Sequence, residues 1–270
     1  MPDSARTQSQ KVAISSLVNL GSGAYIVTLP GIGHFEPGQW VGLALQPDHA
    51  PRLYSIASVP NDVVPDDGQS TAGQPEGQTH GQADGKIEVL FTEVDDGLLT
   101  PRLARMSAGD TLLISGPGGS FRDAEPGRPV WWIANGTGIA PFISMLRARR
   151  AKALTKMASA PDRPAGNQAG AATRAAVLVH GARTCEGLYY ADEIRAGLDA
   201  DTAVRYVPCL TRDSIPGCYA GRLTSYLSEC ELDPDARYLL CGSAEMINDV
   251  RDLLISRGIP FEAISSEVYF

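Results

Sequence analysis

One stretch sets the architecture: Val130-Trp-Trp-Ile-Ala-Asn-Gly-Thr-Gly-Ile-Ala-Pro-Phe-Ile-Ser-Met-Leu-Arg-Ala-Arg-Arg150. Its opening, Val130 to Ala134, has the length and apolar character of a buried strand. Asn135 to Gly138 is a tight turn with two glycines. From Ile139 the apolar residues Ile139, Phe142, Ile143 and Leu146 recur at helical spacing. Pro141 falls in the first turn of that helix, where its missing N–H costs nothing. Strand, glycine turn and helix together aim backbone N–H groups at an anion. Gly136 and Gly138 would allow a phosphate to approach the backbone without a Cβ in the way. A turn that binds nothing has the same local pattern.

Downstream of this stretch the chain alternates. Strands are expected at Ala176–His180, Ala203–Pro208, Tyr238–Cys241 and Phe261–Val268. Helices are expected at Ile139–Leu154, Tyr189–Leu198, Gly221–Cys230 and Ala244–Arg257, with a polar loop at 159–173. Alternation of this kind predicts a parallel sheet with helices on both faces and ligands at the carboxyl ends of its strands. Upstream the texture is different. Two strands joined at Gly21–Gly23 fill Val12–Leu29, and others cover Trp40–Leu45, Arg52–Ser58, Ile87–Glu93 and Thr111–Ser115. A short helix lies within Gly97–Met106, and Gly116 to Gly119 reads as a sharp bend. These predict a small closed antiparallel β-barrel. The fold class is therefore two-domain, β plus α/β: residues 1–125 form the barrel and 126–270 a Rossmann-like sheet. Pro60–Gly85 is poor in apolar residues and is expected to be a flexible insertion.

Composition narrows the function. The chain has 270 residues, enough for one large domain or two of ordinary size, and with 43 % of them hydrophobic it can bury a substantial core. Lys plus Arg total 23 against 31 Asp plus Glu, a formal charge of −8. That balance argues against nucleic acid as the main partner. No apolar run approaches the ~20 residues of a membrane span, and the polar residues 1–11 lack the apolar centre of a signal peptide. The five cysteines (185, 209, 218, 230 and 241) are odd in number and form no Cys-x-x-Cys. They read as reduced thiols of a cytoplasmic protein, without an iron–sulfur cluster or a metal site.

Arg52-Leu53-Tyr54-Ser55, Gly97-Leu98-Leu99-Thr100, Gly136-Thr137-Gly138, Cys241-Gly242 and Glu267-Val268-Tyr269-Phe270, in that order, resemble five motifs of the ferredoxin–NADP⁺ reductase family of bacterial type. Arg52-Leu53-Tyr54-Ser55 resembles its Arg-x-Tyr-Ser signature. Gly97-Leu98-Leu99-Thr100 resembles its second flavin motif, and Gly136-Thr137-Gly138 its pyridine-nucleotide turn. Cys241-Gly242 resembles its Cys-Gly motif, and Glu267-Val268-Tyr269-Phe270 its aromatic terminus. The resemblance implies FAD on the barrel, NADPH on the sheet, and ferredoxin or flavodoxin as the transient electron-transfer partner.

The residue types suit these roles. Arg52 offers a bidentate fork to a pyrophosphate. Tyr54, two residues on, shares its face of the strand and has a ring that can stack on a flavin. By the resemblance, Ser55 hydrogen-bonds the flavin, Thr137 touches it, and Gly97 to Thr100 bring donors to its pyrophosphate. The resemblance also implies Thr211, Arg212, Arg222 and Arg183 around a ribose 2′-phosphate, where arginines favour NADPH and a carboxylate would favour NADH. Cys241 is either a neighbour of the nicotinamide or a core cysteine. Glu267 is either a proton carrier or a rim carboxylate. Tyr269 is expected to cover the flavin face opposite Tyr54 and to move aside for nicotinamide, and Phe270 to reach the adenine. Ser55, Cys241, Glu267 and Tyr269 form the expected catalytic set. Trp131 and Trp132 are read as core. Two rivals stand beside this reading: the reductase component of an oxygenase, and a flavin- or nucleotide-binding sensor without turnover.

Overall fold

The computed structural model describes residues 9–60, 85–123, 128–158, 176–197 and 204–269. The expected insertion falls almost wholly on 61–84, and the expected 159–173 loop wholly, outside the described residues.

Among the described residues, the N-terminal half contains seven antiparallel strands: β1 (Gln10–Ala13), β2 (Ser16–Gly21), β3 (Ala24–Pro30), β4 (Trp40–Ala44), β5 (Arg52–Ser55), β6 (Lys86–Thr92) and β7 (Thr111–Gly118). They form two sheets, ordered β1-β7-β4-β5 and β2-β3-β6. A bridge pairs Ile56 with Val89 across one seam. At another the chain itself crosses: Ile14 N donates to Asp110 O beside β7, and Ser15 N donates to Thr28 O of β3, each at 2.8 Å. Alternate residues of both sheets, among them Val27, Leu29, Val41, Leu43, Val89 and Ile114, meet in one core. The helix α1 (Thr100–Leu103) adds Leu103 to it.

Three local expectations change here. Val12–Leu29 holds parts of three strands rather than two, because the chain turns at Ile14–Ser15 to pass from one sheet to the other. The run expected at Arg52–Ser58 stops as a strand at Ser55, and Ile56 then pairs with the second sheet. The bend expected at Gly116–Gly119 lies mostly within β7, where Trp40 covers Gly118 and Gly119. A Cβ on either would strike its indole ring.

The C-terminal half is a six-stranded parallel sheet, ordered β11-β10-β9-β8-β12-β13. Its strands are β8 (Val130–Asn135), β9 (Ala176–Ala182), β10 (Val204–Leu210), β11 (Tyr219–Ala220), β12 (Arg237–Ser243) and β13 (Ile264–Tyr269). The helices are α2 (Ala140–Ala158), α3 (Ala191–Ala196), α4 (Leu223–Glu229) and α5 (Ala244–Ser256). Strand alternation distributes the core between the two faces. Trp132 and Ala134 face the side of α2 and α3, with Phe142, Ile143 and Ile194. Trp131 and Ile133 face the side of α4 and α5, with Leu227, Ile247 and Val250. Both tryptophans are therefore core, 5 % and 0 % exposed, and each stacks on an aromatic neighbour, Tyr238 and Phe142.

The helix expected from Tyr189 begins only at Ala191, because Tyr190 has φ +60°. Its hydroxyl is drawn instead to Glu88 Oε1 at 2.6 Å. The α2-side core continues into the N-terminal half through Ala24, Ala57, Leu90 and Phe121. The two halves thus share buried apolar surface, a non-directional attraction that holds them together.

Candidate functional site

Chain order reverses direction across the sheet between β8 and β12, the place where open α/β sheets form a ligand crevice. Both strands end there in glycine turns. After β8 the chain makes a single 3-10 turn, Gly136–Ile139, and then enters α2. Gly138 is held by packing: a Cβ there would strike the Cys241 carbonyl and the Gly242 Cα. Gly242, at φ +148°, leaves space for the Asn135 side chain. Asn135 Oδ1 accepts from Ser243 N at 2.9 Å, and its Nδ2 donates to Ser243 Oγ at 3.0 Å. Ser243 in turn caps α5 through Met246 N.

This corrects the reading of these glycines. Gly138 and Gly242 allow the two strand ends to approach each other, whereas only Gly136 opens to the crevice, with no atom within 4 Å of where its Cβ would point. Sequence reasoning passed over Asn135 and Ser243, since each looks like an ordinary turn or cap residue until the strands are paired.

The crevice is a cleft of about 720 Å³. Gly136, Arg183, Thr211 and Arg222, all named from the sequence, line it together with Ser22, Thr224, Glu245 and Asp249, which sequence reasoning did not single out. Arg212 is exposed and is not among the lining residues; its backbone N donates to Arg183 O at 2.8 Å and so braces the loop bearing Arg183. Asp213 adds a second brace by accepting from Cys185 N at 2.6 Å. Thr137 is half-buried beside the cleft turn. Beneath that turn lies His180, fully buried, with Nδ1 3.3 Å from the Tyr206 hydroxyl. Burial pushes its pKa down to about 4, opposed by a backbone hydrogen bond with Gly136.

A second group of residues gathers on β5, the edge strand of its sheet. Arg52 and Leu53 are exposed, and Tyr54 is half-buried. Burial pushes the Tyr54 phenol up to about 12, with the Arg52 guanidinium pulling the other way. Ser55 is 2 % exposed and donates to Glu267 Oε2 at 2.9 Å. Glu267 lies on β13 opposite Cys241 of β12, which is fully buried. The three residues expected to be catalytic and fully described are thus brought to one junction of the two halves. Tyr269 is placed by its backbone opposite Ser243. Its side chain and the whole of Phe270 lie outside the described residues, and with them the expected flavin cover and adenine contact.

In the loop before α1, Gly97 N donates to Val94 O at 2.8 Å, and Thr100 Oγ1 accepts from Val94 N at 3.0 Å. These groups close the loop itself, in contrast to the expectation that both face a phosphate. Leu98 is 68 % exposed and Leu99 is buried.

An arginine-lined cleft at the switch point of a parallel sheet, beside a glycine turn, is the geometry of a dinucleotide-binding domain. Residues 132–252 match the family model described as the oxidoreductase NAD-binding domain. The chain is 30 % identical over 249 residues to ferredoxin–NADP reductase B of Sorangium cellulosum, covering 87 % of this chain and 85 % of that one. It is 29 % identical over 238 residues to the propane 2-monooxygenase reductase component of Rhodococcus jostii, covering 85 % of this chain and 54 % of that one. The fold is shared with a ferredoxin NADP⁺ reductase from Neisseria gonorrhoeae, crystallised with FAD and NADP, at a TM-score of 0.71 and 21 % identity. That match covers 97 % of this chain and 99 % of that one. The chain belongs to the ferredoxin–NADP reductase family, whose members are oxidoreductases.

Proposed function

We propose that this chain is an NADPH-dependent flavoprotein reductase that exchanges single electrons with ferredoxin or flavodoxin in the cytoplasm. Residues 1–125 hold FAD and residues 126–270 hold the nicotinamide nucleotide. The observation that carries the reading is the meeting of Ser55, Glu267 and Cys241 at the junction of the halves, next to the arginine-lined cleft. A binding protein without turnover has no use for that convergence. No helix among the described residues is long and apolar enough to cross a membrane.

The residues fit both cofactors. The cleft offers Arg183 and Arg222 to a 2′-phosphate, with Thr211 and Thr224 as hydroxyl partners and the open face of Gly136 to the pyrophosphate. On the flavin side, Arg52 would hold the pyrophosphate from the edge of β5, with Tyr54 stacked on the ring. Leu53, and Gly97 to Thr100, would border it. When bound, FAD supplies the conversion between two-electron and one-electron transfer.

The chain's own residues do the rest. Ser55 is locked by burial and directs its proton at Glu267, so the two form one hydrogen-bonded unit. Glu267 is half-exposed and links that unit to solvent, the position a proton carrier needs. Cys241 closes the base of the junction and keeps water from it. By the resemblance, Tyr269 and Phe270 would complete the flavin and adenine contacts.

A second reading is favoured by the oxygenase reductase relatives: the chain serves as the flavin-bearing part of an oxygenase system. It spans about half the length of the Rhodococcus reductase component, 54 %. Acceptor choice decides between them. The FAD-loaded chain, driven by NADPH, is expected to reduce ferredoxin or flavodoxin. Turnover with ferricyanide but neither carrier would favour the oxygenase role, and flavin bleaching that no acceptor reverses would favour a sensor.

A further inference from the structure

The two halves are tied by a polar cluster remote from the cleft. Arg147 of α2 donates from Nε and Nη2 to the two carboxylate oxygens of Glu193, each at 2.7 Å. Its Nη1 donates to Glu88 Oε1 at 3.0 Å and to the Ala57 carbonyl at 2.9 Å. The guanidinium also lies over the Tyr190 ring, 5.3 Å from its centre. One turn earlier, Ser144 Oγ donates to Ser58 O at 2.6 Å. The β6 backbone holds the same segment from its other side: Ala57 N donates to Glu88 O, and Glu88 N donates to Ser58 Oγ. Burial alone would lower the Arg147 pKa, but the Glu193 hydrogen bond and the Glu88 charge reverse this and keep the guanidinium charged.

The position of this cluster matters more than its stability. Ala57 and Ser58 directly follow Tyr54-Ser55-Ile56, and α2 directly follows the Gly136–Ile139 turn. From Ala140, where α2 begins just past that turn, to Arg147 is seven helical steps, about 10 Å at the usual rise. A single rigid helix therefore carries the nucleotide turn at its start and grips the flavin-side strand further along. We propose that Arg147 is a positioning residue for hydride transfer, setting the distance between the nicotinamide and flavin sites through its bonds to Ala57, Glu88 and Glu193. The proposal rests on the functional reading above. A misplacement of about 1 Å in such a reaction costs on the order of 100-fold in rate. A bidentate fork resists this in a way a point charge does not.

The test compares FAD-loaded wild type with Arg147→Gln and Arg147→Lys, mixed rapidly with NADPH under argon. The limiting rate of flavin reduction is expected to fall at least about tenfold in Arg147→Gln and less in Arg147→Lys, with half-saturation by NADPH within about threefold. Amide hydrogen exchange gives a readout independent of turnover: faster exchange at Ala57 and Glu88, with β12 unchanged. A folded Arg147→Gln with a wild-type limiting rate overturns the proposal. So does a rate loss that appears only as weaker NADPH binding. If Arg147→Gln does not fold, Ser144→Ala removes only the adjacent bond to Ser58. The same pattern at smaller size is expected of it, and wild-type rate and exchange there overturn the proposal. A wild type that NADPH cannot reduce overturns the functional reading itself; a reducible wild type with an unimpaired variant overturns only the role of Arg147.

Discussion

Ser55 and Glu267 stand 212 residues apart in the chain and 2.9 Å apart in space, hydroxyl to carboxylate. The contact joins the edge strand of the N-terminal sheet to the last strand of the parallel sheet. Ser55→Ala removes the donor but leaves the carboxylate. It is expected to slow flavin reduction by NADPH about 100-fold, as loss of one preorganised donor does, while NADPH half-saturation stays near wild type. Glu267→Gln keeps the shape and removes the charge, and is expected to alter the pH profile of turnover. Stopped-flow and steady-state rates across pH check both.

Nucleotide choice follows the cleft lining. Arg222→Ala and Arg183→Ala each remove a charged donor and are expected to raise KM for NADPH about 10- to 100-fold, with NADH little affected. Arg212→Ala is expected to do less, because Arg212 acts through its backbone brace on Arg183. A larger effect from Arg212 than from Arg222 would overturn this order.

The glycine turns make a prediction about stability. Gly138→Ala forces a methyl group against the Cys241 carbonyl and is expected to cost about 3 kcal/mol. Gly136→Ala meets open space at φ +53° and is expected to cost about 1 kcal/mol, the strain of a left-handed residue. Denaturant unfolding of the two variants checks the ranking.

Much of this was legible in the sequence and some was not. Strand β8, its turn and α2 follow from apolar spacing and two glycines, because the signals are local. The arginine-lined cleft was legible in part: Arg183 and Arg222 line it, while Arg212 braces it. Arg147 gave no signal, since Glu193, Glu88 and Ala57 lie 46, 59 and 90 residues away and only the packing of α2 brings them together. Tyr190 was read as helix because nothing nearby reveals its pull toward Glu88. Gly138 reads as a phosphate-facing turn glycine and Gly242 as part of a cofactor motif, because a sequence cannot show that each faces the other's strand.

His180 sets an acid limit on stability. Its pKa is about 4 when folded, against about 6.5 in an unfolded chain. The unfolded state therefore takes up the proton first. The contribution of a neutral His180 is complete above about pH 6.5 and is lost as pH falls toward 4, by on the order of 3 kcal/mol. His180→Gln is expected to flatten the fall in melting temperature across that range; an unchanged slope would show that other groups govern it.

On the proposed function, FAD on the first half meets NADPH on the second at the Ser55–Glu267 junction. Anaerobic mixing of the FAD-loaded chain with NADPH or NADH measures this most directly, by following the flavin absorbance. Full bleaching by NADPH in a single turnover is expected, with NADH needing a far higher concentration. A chain that retains FAD yet stays oxidised with NADPH at saturation would contradict the proposed function.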